Sequence, residues 1–370
     1  MWREKGGYTV VPMRLEANES VFVVFSGDSK APHLASVTPP PAYEIVRQLP
    51  KIVITNARYE AVDGAGGADV KAKVAALIAS GEFAIPATNG VFGDPTSLHV
   101  KRLVVDYTLD GKPMTKSVAE NETMVLLDTS TPEVPAAYRV AVVGAGLELQ
   151  AFKAGTYTTH DASGKSAELK VASVPDALEI SGGWNVKFQS GRGAPESVRL
   201  DLLTSWSENA DAGVKYFSGS AVYEKEFDVS ADAIGAGKVA RLNLGSVKEI
   251  AEVTLNGTSL GVWWKAPFEG DVTGLLKAGK NSLKIRVTNL WVNRLIGDEQ
   301  LPEDMEWNGM PIKKWPEWFE ATGEYPLKNR VSKDRLTFTT WHHWTKDSQL
   351  MESGLIGPVR VRIGEVSKIQ

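Results

Sequence analysis

Short runs of alternating apolar and polar residues, separated by turn residues, constrain this chain more than any other feature. Alternation over four to eight residues is the pattern of a half-buried β-strand. Tyr216 to Phe227 and Ser282 to Leu290 show it, and Asn256-Gly257 predicts a type I′ hairpin turn between two such runs. No repeated strand–helix alternation runs through the sequence, which excludes an eightfold α/β barrel. The predicted fold class is mostly β, with two or three β-sandwich domains.

Charge and composition exclude several classes of function. The 370 residues carry a formal net charge of −4, so no basic surface for nucleic acid is expected. No apolar run approaches the roughly 20 residues that cross a bilayer, so no membrane partner is expected. Cysteine is absent, which excludes disulfides, thiol nucleophiles and thiolate metal sites. The segment from Met1 to Tyr8 has no apolar core, so no secretory signal is expected in this chain.

The turn residues divide the chain into three predicted parts. Residues 1–50 hold N-terminal strands, including Ser20 to Phe25, and a linker at Pro39-Pro40-Pro41. Residues 51–182 form a β-rich domain with one short helix, Asp69 to Ser80, which Asp69 caps and Gly81 ends. Residues 183–370 form the third domain.

The third domain contains a long irregular stretch, residues 297–335, before the chain returns to a strand at Leu336 to Trp341. Loops of that length in compact domains are usually functional or disordered. Ten of the eleven tryptophans lie from Trp184 onward, which places any ligand surface in this half of the chain.

Trp291 to Asp298 is the first candidate site, because it combines an indole, an amide, a guanidinium and a carboxylate within eight residues. Indole faces stack on sugar rings, and the polar groups form paired hydrogen bonds with vicinal hydroxyls. The alternative, left open here, is a buried Arg294–Asp298 pair that braces a loop. The full predicted set of sugar-contacting residues around this segment is Trp263, Trp264, Asn289, Trp291, Asn293, Arg294 and Asp298. Trp263 and Trp264, adjacent on a strand, are expected to face opposite ways.

A second candidate is Trp341-His342-His343-Trp344, in which all four residues are candidates for sugar contact. Adjacent histidines on a regular strand face opposite ways and cannot chelate one metal ion. The alternatives are a histidine that hydrogen-bonds a sugar and a plain structural role.

Acidic residues are the third candidate. Asp298, Glu299 and Glu303 are weak catalytic candidates, because glycoside hydrolysis requires two nearby carboxyl groups. A solvated acidic surface is the simpler alternative. A structural calcium ion is a further option, for which Asp211, Asp228, Asp271 or Asp298 are candidate ligands, although no loop matches a defined calcium motif. No other cofactor is expected.

Several strings resemble the C-terminal region of family 106 glycoside hydrolases, the α-L-rhamnosidases. They include Leu203-Thr204-Ser205-Trp206, Lys215 to Gly219, Trp291 to Asp298 and Glu352 to Val359, with Val11 to Leu15 and Ser20 to Phe25 near the start. Residues 253–281 also resemble the sugar-binding jelly roll of family 2 glycosidases. The two resemblances together imply that the last domain is a galactose-binding-like jelly roll.

The resemblance also implies a function. Rhamnosidases of that family are longer and carry their catalytic carboxylates on an upstream barrel that has no counterpart here, so no catalytic residue can be carried over. The expected function is a carbohydrate-recognition or ancillary region of an α-L-rhamnosidase-like glycoside hydrolase, without the catalytic barrel, and the expected partner is a carbohydrate such as a rhamnose-containing polysaccharide. The alternatives are a free-standing hydrolase that uses the 297–306 loop and a scaffold for a separate catalytic chain. The resemblance implies a periplasmic or extracellular location.

Overall fold

The computed structural model describes residues 1–11, 13, 20–24, 33–41, 50–127, 136–144, 146–320, 330, 332 and 334–369. The chain divides into two compact units, residues 1–42 with 136–370, and residues 43–135. The strands of residues 138–151 pair with the end of the chain, so they belong to the first unit. This division differs from the boundaries predicted at residues 50 and 182.

The N-terminal segment contributes three strands to the first unit: β1 (Arg3–Lys5), β2 (Tyr8–Val10) and β3 (Leu34–Thr38). The strand predicted at Ser20 to Phe25 is wrong for its described part, because residues 20–24 form no strand and the side chain of Phe22 is 94% exposed. Apolar composition alone does not make a strand, which also requires a neighbouring strand for its backbone hydrogen bonds. Phe25, together with Pro12, Arg14 and Leu15 of the resemblance, lies outside the described residues.

The second unit is a small sheet with one helix against it. Its elements are β4 (Ile52–Ala61), β5 (Gly67–Asp69), α1 (Lys71–Ala79), β6 (Ala84–Pro86), α2 (Asn89–Phe92), β7 (Lys101–Leu109), β8 (Lys112–Ala119) and β9 (Thr123–Val125). The predicted helix is confirmed. The Asp69 carboxylate accepts a hydrogen bond from the Lys71 amide at 2.9 Å, and Gly81, at φ +87°, follows the helix end. Val74 is fully buried in the core of the unit.

The rest of the first unit is built from antiparallel strands. They are β10 (Tyr138–Val143), β11 (Gly146–Ala151), β12 (Gly155–Asp161), β13 (Ser166–Val171), β14 (Leu178–Glu179), β15 (Trp184–Phe188), β16 (Ser197–Leu200), β17 (Ser220–Val229), β18 (Lys238–Asn243), β19 (Ser246–Lys248), β20 (Ile250–Leu255), β21 (Thr258–Trp263), β22 (Glu269–Asp271), β23 (Gly279–Thr288), β24 (Gly354–Gly357) and β25 (Arg360–Ile369). Three short helices accompany them: α3 (Ala212–Lys215), α4 (Val292–Asp298) and α5 (Glu317–Glu320). Two 3-10 turns lie at Trp206–Glu208 and Ala231–Ala233.

Two six-stranded sheets enclose one apolar core. One has the order β16-β15-β17-β23-β20-β21, and the other has the order β10-β11-β25-β18-β22 with β14 also on β25. In β23 alternate residues, among them Leu283, Ile285 and Val287, are fully buried. Together with Leu242 and Val361 of the other sheet they belong to a single core cluster. The predicted mostly-β, sandwich-type fold is confirmed, and so is the Asn256-Gly257 turn, where both residues have positive φ.

The strand predicted at Leu336 to Trp341 is wrong. The backbone amides of Leu336 and Thr337 donate to the Asp298 carboxylate instead of to a neighbouring strand. Only Trp341 forms an isolated bridge, with Pro311. A buried side chain has therefore taken the place of a strand partner.

Candidate functional site

Helix α4 is the centre of the predicted site. It follows directly on β23, and Trp291 stands at its N-terminus without a side-chain cap. Gly297 lets the helix approach its neighbour closely, since a Cβ at this position would lie 2.6 Å from Cβ of Tyr216. The helix buries Asn293, Arg294 and Asp298 on its inner side. The segment that follows the predicted strand Ser282 to Leu290 is therefore a short helix, which the sequence analysis did not predict.

Arg294 and Asp298 form an ion pair one helical turn apart. The Nη2–Oδ1 distance is 2.9 Å, and their side chains are 9% and 2% exposed. The other carboxylate oxygen, Oδ2, accepts hydrogen bonds from the amides of Leu336 and Thr337 at 2.9 and 2.7 Å and from the Thr337 hydroxyl at 2.6 Å. The contact with Arg294 is a close ion pair without hydrogen-bond geometry, because Asp298 Oδ1 and Arg294 Nε have no hydrogen-bond partner among the described residues. Asp298 thus holds residues 336–337 against the domain, as in the bracing alternative.

The side-chain amides of Asn289 and Asn293 link backbone segments through hydrogen bonds. The Asn289 amide donates to the Phe217 carbonyl at 2.8 Å and accepts from the Gly219 amide at 2.9 Å. The Asn293 amide donates to the Met351 carbonyl at 2.7 Å and accepts from the Met351 amide at 2.8 Å. The amide nitrogen and the amide oxygen of each side chain are therefore both hydrogen-bonded within the protein.

Two buried arginines organise the turn that follows α4. Arg335 donates to Glu299 at 3.1 Å and to the carbonyls of Pro302 and Leu301 at 2.9 and 3.0 Å. Arg330 donates to the buried carboxylate of Asp304 at 2.6 Å. Guanidinium groups suit this task because their donors form a rigid fork.

The catalytic candidates Glu299 and Glu303 are both engaged in this turn. Glu299 contacts Arg335 and also His342, whose Nε2 lies 2.8 Å from Glu299 Oε2. Glu303 accepts from the amides of its own turn and from Trp307 Nε1 at 2.9 Å. Glu306, in contrast, is exposed, and the Lys314 and Lys313 ammonium groups hold the pKa of its carboxyl below its usual range.

A narrow cavity lies over this network, lined by Glu299, Trp307, Arg335, His342 and Trp344 among others. It has room for little more than roughly one water molecule, so it does not admit a sugar ring in this conformation.

Glu299, Glu303 and His342 could together hold a metal ion, since one ligand atom from each lies within 4.8 Å of the others. Arg335 Nη1, however, lies 3.1 Å from Glu299 Oε1 and 3.7 Å from Glu303 Oε1 and already supplies the positive charge. The aspartates predicted for calcium form no such group among the described residues. The Asp211 and Asp271 carboxylates accept hydrogen bonds from nearby backbone amides.

The aromatic candidates divide into covered and exposed side chains. Trp263 packs against the core and donates to the Leu260 carbonyl at 3.3 Å. Trp264 comes after the end of β21 and is 62% exposed, so the two indoles do differ in burial. Trp291 and Trp341 are 46% and 51% exposed.

The rings around His342 and His343 face different neighbours. His342 stacks on Trp307 with ring centroids 4.7 Å apart, and His343 packs edge-on against Trp344 at 4.8 Å. The His342 amide donates to the Met310 carbonyl at 2.7 Å. The two histidines therefore belong to different contacts, as expected for adjacent residues of an extended segment.

Residues 198–356 match the family model described as "Glycosyl hydrolase 2 galactose-binding domain-like". This part of the chain is a galactose-binding-like domain. The observation agrees with the predicted jelly roll and with the resemblance to family 2 glycosidases. The domain contains α4, the turn around Arg335 and all the predicted sugar-contacting residues.

A longer protein of Formosa agariphila, named "Putative beta-glucuronidase", is 40% identical over 297 residues. The match covers 80% of this chain and 24% of that protein, so the chain spans about a quarter of the relative's length.

Two solved structures are also similar. A rhamnosidase from Novosphingobium sp. PP1Y is 28% identical with a TM-score of 0.40, covering 62% of this chain and 24% of that one. An uncultured Clostridium sp. beta-glucuronidase is 20% identical with a TM-score of 0.32, covering 53% of this chain and 30% of that one.

Sequence reasoning missed the two arginines that hold this region of the domain, Arg330 and Arg335. The available signal was a cluster of acidic residues in 298–306 that is followed, about 30 residues later, by two arginines. Arg192, whose Cζ lies 4.7 Å from the centre of the Trp291 ring, was also missed, because no local pattern links residues 99 positions apart.

Proposed function

We propose that this chain is a carbohydrate-recognising accessory region of a larger glycoside hydrolase. One observation carries the proposal: in the galactose-binding-like domain the buried polar residues brace the fold, while several indoles remain exposed. Asp298, Glu299 and Glu303 are all engaged in ion pairs or hydrogen bonds within the protein. Trp264, Trp291 and Trp341 are each about half exposed or more, as indoles that stack on sugar rings must be.

The comparisons support an accessory role within a longer enzyme. The chain spans 24% of its glucuronidase-named relative, which leaves most of that protein to other parts. The resemblance to family 106 supports the finer proposal that the enzyme is α-L-rhamnosidase-like and that the partner is a rhamnose-containing polysaccharide. A periplasmic or extracellular location fits such a polymer.

A free-standing hydrolase is the second candidate, favoured by one observation. Oxygens of Glu299 and Glu303 lie within 4.8 Å of each other, close to the roughly 5 to 5.5 Å carboxyl spacing of retaining glycosidases. Arg335 lies between them and the cavity above is small. We therefore propose bracing, not catalysis, for this pair.

A glycan microarray with the purified chain tests the accessory role, using pectic rhamnose-containing glycans beside unrelated neutral ones. We expect retention of rhamnose-containing glycans; retention of no glycan at all would remove the binding proposal. A parallel assay on aryl glycosides tests the second candidate, with Glu299→Gln and Glu303→Gln as controls. Hydrolysis lost in both variants would overturn the bracing role, and no hydrolysis by the unaltered chain would support it.

A further inference from the structure

Two cations close to α4 rest on aromatic rings of neighbouring segments. Arg192 Cζ lies 4.7 Å from the centre of the Trp291 ring, and Lys215 Nζ lies 5.6 Å from the centre of the Tyr216 ring. Neither cation has an ion pair with any described residue. Arg294, Arg330 and Arg335, in contrast, each face a carboxylate.

Their segments lie side by side. A Cβ on Gly213 would be 2.1 Å from the Gly193 carbonyl oxygen, so α3 and the turn after β15 are in backbone contact. A Cβ on Gly193 would lie 3.4 Å from Arg294 Nη1, which places the same turn over α4. Arg192 and Lys215 flank these contacts in sequence and reach the two ends of one region around α4.

The acidic residues near these two cations contact other groups. Asp298 pairs with Arg294 inside the domain. Asp211, close to Lys215 in sequence, accepts a hydrogen bond from the Val214 amide at the start of α3. Among the described residues no carboxylate therefore neutralises Arg192 or Lys215.

We infer that Arg192, which stacks on Trp291, and Lys215, which lies over Tyr216, bind anionic groups of the acidic sugars in a glycan chain. A guanidinium stacked on an indole keeps its planar edge available, and that edge forms two parallel hydrogen bonds with a carboxylate or sulfate. The 46% exposed indole of Trp291 offers an apolar surface beside the charge for the sugar ring itself. This inference rests on the proposed carbohydrate-binding function and adds the chemical class of the sugar.

Isothermal titration of the full chain tests the inference with three probes: an oligogalacturonate, a sulfated oligosaccharide and a neutral oligosaccharide of similar length. Arg192→Gln and Lys215→Gln are the variants. Arg199→Gln and Lys280→Gln are matched controls, because they remove the same charge from exposed surface pairs with Asp201 and Glu226. Thermal unfolding of each variant checks that the fold is intact.

We expect tighter binding of at least one anionic probe than of the neutral one. Each site variant should weaken that binding about tenfold, while the controls change it by less than twofold. Comparison of the oligogalacturonate with the sulfated oligosaccharide shows whether a carboxylate or a sulfate is recognised. Binding of the neutral probe alone, or of no probe, would overturn this inference, whereas the proposed function is overturned only if the array retains no glycan. An equal loss of affinity in the site variants and the control variants would mean that only general surface charge matters. That result would also overturn the inference.

Discussion

Asn293 uses both ends of its side-chain amide on one residue of a distant segment, the backbone of Met351. The Asn293 side chain is 2% exposed, so removing it would take away the shared partner of the Met351 amide and carbonyl and leave a space inside the domain. Trp291, two positions earlier, is 46% exposed. Composition predicts the chemistry of this segment but not which side chain turns inward, since that depends on α4 forming in place of an open loop.

Asn293→Ala should therefore lower the free energy of unfolding by about 1 to 3 kcal/mol, the loss of two hydrogen bonds made by a buried side chain. The measurement is urea unfolding followed by tryptophan fluorescence, which reports on the first unit because all eleven tryptophans lie outside residues 43–135. Asn308→Ala, at an exposed position, is the matched control and should change little. A loss below 1 kcal/mol for Asn293→Ala would show that Met351 finds other partners.

At the scale of elements, the turn after α4 is shaped by long-range contacts that no local pattern reveals. Arg335 binds one carboxylate and two carbonyls of residues 299–302, more than 30 positions earlier in the chain. The sequence marks residues 297–335 as irregular and acidic, and the described part of that range contains the end of α4 and the short helix α5 but no strand. It could not identify which arginines neutralise the acids, because pairing across such a distance is set by the fold.

Arg335→Lys should loosen this turn while leaving the sandwich intact, since an ammonium group cannot reproduce the guanidinium fork. We expect amide hydrogen exchange in residues 299–306 to speed up on the order of tenfold, the effect of losing one charge-assisted hydrogen bond. Exchange in β23 should stay unchanged. The bracing role is wrong if the turn exchanges at the rate of the unaltered protein.

Charge pairs between neighbouring strands on the outer face of the sheet contribute less to the free energy of unfolding than the buried hydrogen bonds do. Lys187 and Lys284 lie 2.8 and 3.3 Å from Glu224 and hold the pKa of its carboxyl below the usual range. A lowered pKa in the folded state stabilises the protein above the unfolded-state value, about 4.3, and that contribution is lost as pH falls through the folded value.

Glu224→Gln should thus lower the free energy of unfolding at pH 7 by about 1 kcal/mol, because both lysines are about half exposed and screened by water. The difference from the unaltered protein should shrink toward zero below pH 4. Unfolding curves at both pH values check this, with Glu226→Gln of a more exposed pair as control. An equal loss at both pH values would contradict an electrostatic origin.

For the whole molecule, the two sheets and their shared core follow from the period-two pattern, but the pairing of strands does not. Alternation predicts that Leu283 and Ile285 face inward, yet it contains nothing about which strand lies beside theirs. The last strand, β25, pairs with β11 and β18, which are far away in sequence. Those pairings place residues 138–151 in the first unit, which the sequence division missed.

We propose that the galactose-binding-like domain recognises carbohydrate through its exposed indoles, while its buried polar residues only brace it. Titration calorimetry of the full chain against the glycan best retained on the array tests this most directly, comparing Trp291→Ala with Glu303→Gln. We predict that Trp291→Ala weakens binding about tenfold without lowering the unfolding midpoint, because the half-exposed indole supplies the apolar surface on which a sugar ring stacks. Glu303→Gln should leave the affinity within twofold. Unchanged affinity in Trp291→Ala, together with a large loss in Glu303→Gln, would contradict the account.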